Sequence, residues 1–422
     1  MSEDFKASVT VSRLWDGKRV GQELVDKIKQ DDVDPDFILL FSTIHYEGEF
    51  QKFLDIVKDE FPDAPLVGGT VAGFMSQQGC YTRGVSAMAV EYEDMEVSYT
   101  IGHNTKGKPK SKAKKCSKEI REELKDSEHD EKLVFMFTSG SEMPSIPGLG
   151  SKRVYNSKVA SFLASKLLWI SSKLFGKGVG KEEIVLKNVS EELPEFKIIG
   201  GSTTDNNKMA SNFQFFDKKV SRNSLVLLAV GINKNVYMTS EAAVEKTEEE
   251  LKIKKGSKGY IIKEIDDNYA TEKLLERFNW PKEFLNESLH RKTFFYPLIF
   301  EKEGEIFPEV MGVIIGNKII CGYEIDSERL FLGRTSGQTL LETIDKVFGN
   351  TEIFEKADLN FTIYCSALLE AIGKDFFNLR ESITENLGET PFLLIATSGE
   401  DFRVPGNIPK HTNETINAAT FL

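Results

Sequence analysis

Apolar positions along the chain switch between two periods. Val20, Leu24 and Ile28 recur every four residues among charged neighbours, which predicts an amphipathic helix ending before the Asp34-Pro35 break. Phe37 to Thr43 is then a short, unbroken apolar run bounded by turn formers, the pattern of a buried strand. Phe50, Phe53, Leu54 and Val57 return to helical spacing, and Leu66-Val67 runs into Gly68-Gly69. The reading is strand, helix, strand, with the strands parallel because a helical crossover returns the chain to the same end of the sheet.

The pattern recurs. FILLFST (Phe37 to Thr43), PLVGGTVAG (Pro65 to Gly73) and RGVSAMAV (Arg83 to Val90) are followed by LVFMFTS (Leu133 to Ser139), KIIGGSTTD (Lys197 to Asp205) and RNSLVLLAV (Arg222 to Val230). The opening strands are offset by 96 residues (43 to 139) and the glycine pairs by 132 (68 to 200), so the second copy carries about 36 more residues. Within that insert, SEMPSIPGLGSKR reads as loop and Val159 to Phe175 as a helix. A fainter third copy comprises FTIYCS (Phe361 to Ser366), PFLLIATSGE (Pro391 to Glu400) and INAATFL (Ile416 to Leu422). The Glu-, Lys- and Gly-rich stretch Glu241 to Gly259 reads as a solvated connection. The expected fold is therefore α/β: two mixed α/β domains, residues 1–245 and 246–422, with an internal strand-helix-strand repeat and sheets covered by helices.

Composition narrows the function. With 66 acidic and 54 basic side chains the net charge is −12, which disfavours nucleic acid as a partner. The four cysteines have no C-x-x-C spacing, so reduced, cytoplasmic thiols are expected, without a zinc site. No apolar run reaches the roughly 18 residues of a membrane helix, so no membrane partner is expected. His103 to Lys118 holds seven lysines and no acid and reads as a flexible surface connector, with an anion-binding or partner-recruiting arm as the alternative.

Ligands of parallel sheets collect beyond the carboxyl ends of strands. The glycine turns are placed there, so Gly69, Thr70, Gly201, Ser202 and Thr203 become candidate ligand-binding residues, and Asp205 adds a carboxylate for an amine. The alternative for Asp205 is an Asx-turn or helix cap, and for the glycines a tight packed turn. GGTVAG lacks the order of a dinucleotide fingerprint, and Lys181 is followed by Glu182 where a P-loop needs Ser or Thr. The five histidines are scattered, without metal-ligand spacing. Neither a cofactor nor a metal is expected. Cys365 closes an apolar strand and is either an inert buried thiol or a nucleophile, and Glu400, after Ser398-Gly399, is either a binding carboxylate or a solvated turn residue.

At these residues the chain resembles the FIST family, the F-box and intracellular signal transduction proteins. PLVGGTVAG and IIGGSTTDNN stand where its N-terminal domain carries two glycine-serine/threonine turns. GYIIKEIDDNYATEKLLE, Cys365, Ser398-Gly399-Glu400 and His411-Thr412-Asn413-Glu414-Thr415 resemble its C-terminal domain. Leu368 departs from an Arg often found three residues after the cysteine. The resemblance implies an intracellular, non-catalytic sensory protein that binds a small molecule, an amino acid or derivative being the expected class, and that signals to a protein partner. It adds Cys365, Ser398, Glu400 and Asn413 to the candidate site. A cysteine-dependent enzyme acting through Cys365 and a protein-interaction scaffold are the alternatives.

Overall fold

The computed structural model describes residues 5–145, 152–174, 177–256 and 259–422. The fold is mixed α/β, and the strands of these residues form three six-stranded sheets and one of nine strands.

The three six-stranded sheets are built alike. Each holds two parallel strands and an antiparallel one: Phe37–Thr43 with Leu66–Val71 and Val85–Glu91, Glu131–Ser139 with Lys197–Thr203 and Ser224–Ile232, and Leu359–Cys365 with Phe392–Thr397 and Thr415–Phe421. Their strands are apolar almost throughout because both faces are covered. Inward faces of all three sheets share one core, where Phe41 meets Phe137 edge-on at 5.0 Å and Phe135 meets Phe361 at 5.4 Å. Outward faces carry helices: Gly17–Gln30 and Phe50–Glu60 on the first, Pro109–Glu123 and Glu182–Glu192 on the second, Gly337–Phe348 and Phe376–Leu387 on the third.

Each sheet is completed by a hairpin from another. Strand Gln214–Phe216 pairs with Leu66–Val71 of the first sheet, Glu400–Arg403 with Lys197–Thr203 of the second, and Phe74–Ser76 with Phe392–Thr397 of the third. Residues on both sides of position 245 therefore share sheets.

Three local expectations are corrected. The Gly-Gly pairs lie inside the strands Leu66–Val71 and Lys197–Thr203, not in the turns beyond them. The expected connection at 241–259 contains the strand Glu245–Lys255, paired on both sides within the nine-stranded sheet; Leu251 and Ile253 turn inward while Lys252 and the flanking Glu250 and Lys254 stay in solvent. The lysine-rich connector is largely the helix Pro109–Glu123, whose Ala113, Cys116 and Ile120 pack on the second sheet. The predicted insert helix is Lys158–Leu174; its expected last residue, Phe175, and positions 146–151 of the preceding loop lie outside the described residues.

Candidate functional site

The ends of the parallel strands converge. Thr204 N–H donates to the Thr70 carbonyl (2.8 Å), Ser398 N–H to that of Ser202 (3.0 Å), and Ala72 N–H to that of Ala396 (2.9 Å), so the three sheets are tied end to end in a ring. Such close passage of backbones explains two glycines. A Cβ on Gly69 would stand 2.5 Å from the Phe213 carbonyl oxygen, and one on Gly201 2.7 Å from Thr397 Oγ1 and 2.8 Å from the Gly399 carbonyl oxygen. Both make room for an incoming hairpin.

The hydroxyls at this ring are buried and engaged. Thr70 Oγ1 accepts from Phe213 N–H (3.0 Å), Thr203 Oγ1 accepts from the Gln214 amide (2.6 Å), and Ser202 Oγ donates to Glu182 Oε1 (3.1 Å). The Asp205 carboxylate accepts from the backbone N–H groups of Met209 (2.8 Å), Ala210 (2.8 Å) and Ser211 (2.9 Å). It organises the loop that leads into the exchanged hairpin, as the Asx-turn alternative anticipates.

The third sheet contributes an acidic interior. Glu400 is fully buried, with Thr397 and Thr415 hydroxyls each 3.3 Å from its carboxylate, and burial, opposed by His411, pushes its pKa up to about 8. Burial, reinforced by Glu400 and Glu414, raises the Cys365 thiol well above its ordinary range. A thiol so placed is held protonated, the opposite of what a nucleophile needs. The Asn413 amide bridges inward: its Oδ1 accepts from Val310 N–H (3.3 Å) and its Nδ2 donates to the partly exposed Ser398 (3.4 Å to the carbonyl).

Beside this interior a cleft of about 780 Å³ opens between the Glu182–Glu192 helix, the nine-stranded sheet and the 400–412 hairpin. His411 lines it with Glu183, Tyr323 and Arg403. Asp401 and His411 are direct cross-strand partners in the hairpin, and His411 Nδ1 stands 2.7 Å from Asp401 Oδ1. Burial alone would strip the ring of its proton; the adjacent Asp401 carboxylate outweighs this and raises the pKa to about 10. The other ring nitrogen has no hydrogen-bond partner among the described residues, and the ring packs on Gly399, where a Cβ would lie 2.8 Å from it. Glu183 accepts from the Tyr260 hydroxyl through one oxygen while its other oxygen has no hydrogen-bond partner among the described residues, and burial pushes its pKa up to about 7. Arg403 fixes the wall, donating to the carbonyls of Leu193 (2.9 Å), Phe196 (2.8 Å) and Pro194 (2.7 Å) at the end of the helix that carries Glu182 and Glu183.

The sequence-derived residues thus fall into two groups. Gly201, Ser202, Cys365, Ser398, Glu400 and Asn413 gather behind the cleft wall that His411 forms, whereas Gly69, Thr70, Thr203 and Asp205 sit at the joint between the first and second sheets. His411, Asp401, Glu182 and Glu183 escaped the sequence reading, although Asp401 follows the singled-out Glu400 and His411 opens the singled-out closing segment. Among the described residues, no group of three or more His, Cys, Asp or Glu side chains is placed to hold a metal ion, and no helix is long and apolar enough to cross a membrane.

The family model for the FIST N domain matches residues 36–268, more than half of the chain. The protein belongs to the FIST family. The FIST match takes in all of the first two sheets' parallel strands and runs past Glu245–Lys255 into the strand Ile261–Ile265. FIST domains generally serve as sensory modules in signal transduction, and the chain shares that broad role. No curated protein matches the chain.

Proposed function

We propose that this FIST protein is an intracellular sensor that takes a small zwitterion, an amino acid or derivative, in the cleft lined by His411, and passes its occupancy to a signalling partner. The observation that carries the reading is a potential cation and a potential anion in one cleft: the His411 imidazole, whose Nδ1 is committed to Asp401, and the Glu183 carboxyl, which has one buried oxygen without a hydrogen-bond partner among the described residues. A ligand carboxylate would pair with His411 and its amine with Glu183. Loss of either charge would leave a desolvated partner, costing about 1–3 kcal/mol. Ser202, Ser398, Glu400 and Asn413 would hold the wall from behind, with Gly201 admitting the hairpin that carries His411, while Thr203 would brace the joint to the first sheet. The alike strand order of the three sheets supports an internal repeat. The segment after residue 268 keeps its likeness to the FIST C-terminal domain as part of this proposal, with the domain division at residues 245 and 246. Four free cysteines suit a reducing, cytoplasmic compartment.

Calorimetry against a panel of amino acids tests it. A responding amino acid should bind wild type and fail on His411→Ala and Glu183→Gln, while Asp205→Ala keeps most of the affinity. If no amino acid binds, or if His411→Ala binds as wild type does, the reading is wrong.

A further inference from the structure

The insert between the strand Glu131–Ser139 and the helix Glu182–Glu192 plays no part in the cleft, yet its chemistry is unlike the rest of the chain. From residue 143 to 181 there is no acid and there are seven Lys or Arg, a net +7 against −19 for the remainder, which together make the −12 of the whole. A stretch so biased is an electrostatic feature in its own right.

The insert's helix, Lys158–Leu174, has two apolar stripes. Ala160, Ala164 and Leu167 pack against the nine-stranded sheet. The other stripe faces water: Val159 is 72% exposed, Phe162 59%, Leu163 40% and Ile170 49%. Lys166 rises from this stripe with its ammonium 4.4 Å from the Phe162 ring centre. Beside Phe162 is a groove of about 420 Å³ bordered by Tyr269, itself 56% exposed, and by the exposed Lys263 and Lys318. Glu264, the acid among the described residues that line it, is paired with Lys254 at 3.1 Å, and Arg153 at the start of the insert is paired with Glu287. Exposed aliphatic and aromatic side chains flanked by exposed lysines are what an amphipathic helix presents when it lies in the plane of a bilayer interface. Positive charge favours anionic headgroups by about 1 kcal/mol per lysine near the surface.

We propose that this face, the outer stripe of Lys158–Leu174 with Tyr269, Lys263 and Lys318, docks on an anionic lipid bilayer. The apolar side chains enter the headgroup boundary, and the lysines pair with lipid phosphates and carboxylates. Lying on a membrane needs no spanning segment.

Co-sedimentation of the full chain with phosphatidylcholine vesicles, with and without phosphatidylserine, tests it. Wild type should partition onto the anionic vesicles alone and release as salt is raised. Phe162→Ser/Ile170→Ser should weaken partitioning by about tenfold or more, as loss of two buried apolar side chains predicts. Lys166→Glu/Lys318→Glu should abolish the preference for phosphatidylserine, and both variants should melt as wild type does because the changed side chains are in solvent. Three results would overturn the proposal: no partitioning, equal partitioning onto both kinds of vesicle, or a wild-type dimer in light scattering that Phe162→Ser dissolves, which would make a second copy the occupant.

Discussion

His411 and Asp401 face each other across an antiparallel hairpin, 2.7 Å apart at Nδ1 and Oδ1, with four further carboxyls, those of Glu182, Glu183, Glu309 and Glu400, close enough to feel the ring's charge. One cation thus balances a crowd of acids that burial would rather keep neutral.

That crowding sets a pH dependence of stability. His411 is raised to about 10, Glu400 to about 8 and Glu183 to about 7, all above their unfolded values of roughly 6.5 for His and 4.3 for Glu. Each folded group binds its proton more tightly than the unfolded chain does. The stability conferred is complete below the unfolded values and drains away as pH rises through 7, 8 and 10. Urea unfolding should show a progressive loss of stability between pH 6 and pH 9, and Glu400→Gln should flatten the part below pH 8. A stability that is level or climbs over this range would contradict the assignment.

Gly201→Ala should be costly despite adding one methyl group. The new Cβ would press on Thr397 Oγ1 at 2.7 Å and the Gly399 carbonyl at 2.8 Å, both on the segment leading to His411. Overpacking of this kind costs about 1–3 kcal/mol. Thermal melts should register it, and faster hydrogen exchange in the 400–412 hairpin should locate the damage.

Removing the Asp205 carboxylate leaves three backbone N–H groups without an acceptor. Asp205→Ala should lose about 1–3 kcal/mol, and Asp205→Asn less, because an amide oxygen still accepts. Exchange at Met209, Ala210 and Ser211 should quicken in the first variant. An unchanged melt would show the loop to be held by something else.

Iodoacetamide should leave Cys365 untouched in the folded protein at pH 8, since burial and the neighbouring Glu400 and Glu414 keep the thiol protonated. Cys80, half-buried and pushed up to about 11, should react slowly at most. Peptide mapping after labelling in urea should find all four cysteines modified. Rapid native labelling of Cys365 would revive a thiol-based enzyme.

Much of the fold could be read from the chain because its strands advertise themselves: FILLFST and LVFMFTS are buried on both faces and so carry unbroken apolar runs. The nine-stranded sheet stayed hidden for the converse reason. Glu245–Lys255 turns two apolar side chains inward among charges that stay in water, and its pairing with Arg329–Arg334 is a tertiary fact that no local period announces. The glycine pairs stand out in the sequence, but a missing Cβ looks the same there whether it admits a ligand or, as at Gly69 and Gly201, a neighbouring strand. His411 and Asp401 are ten residues apart, a spacing that means something only once the hairpin sets their register.

The exchange of hairpins among sheets has a consequence for biosynthesis. The second sheet receives Glu400–Arg403, and the third is built around Leu359–Cys365, Phe392–Thr397 and Thr415–Phe421, so neither is complete until residues 392–421 have left the ribosome. Until then Lys197–Thr203 is a bare edge, the kind of surface on which nascent chains clump. Loss of residues 392–421 should therefore behave as a lesion at the centre of the molecule, late though they are in synthesis.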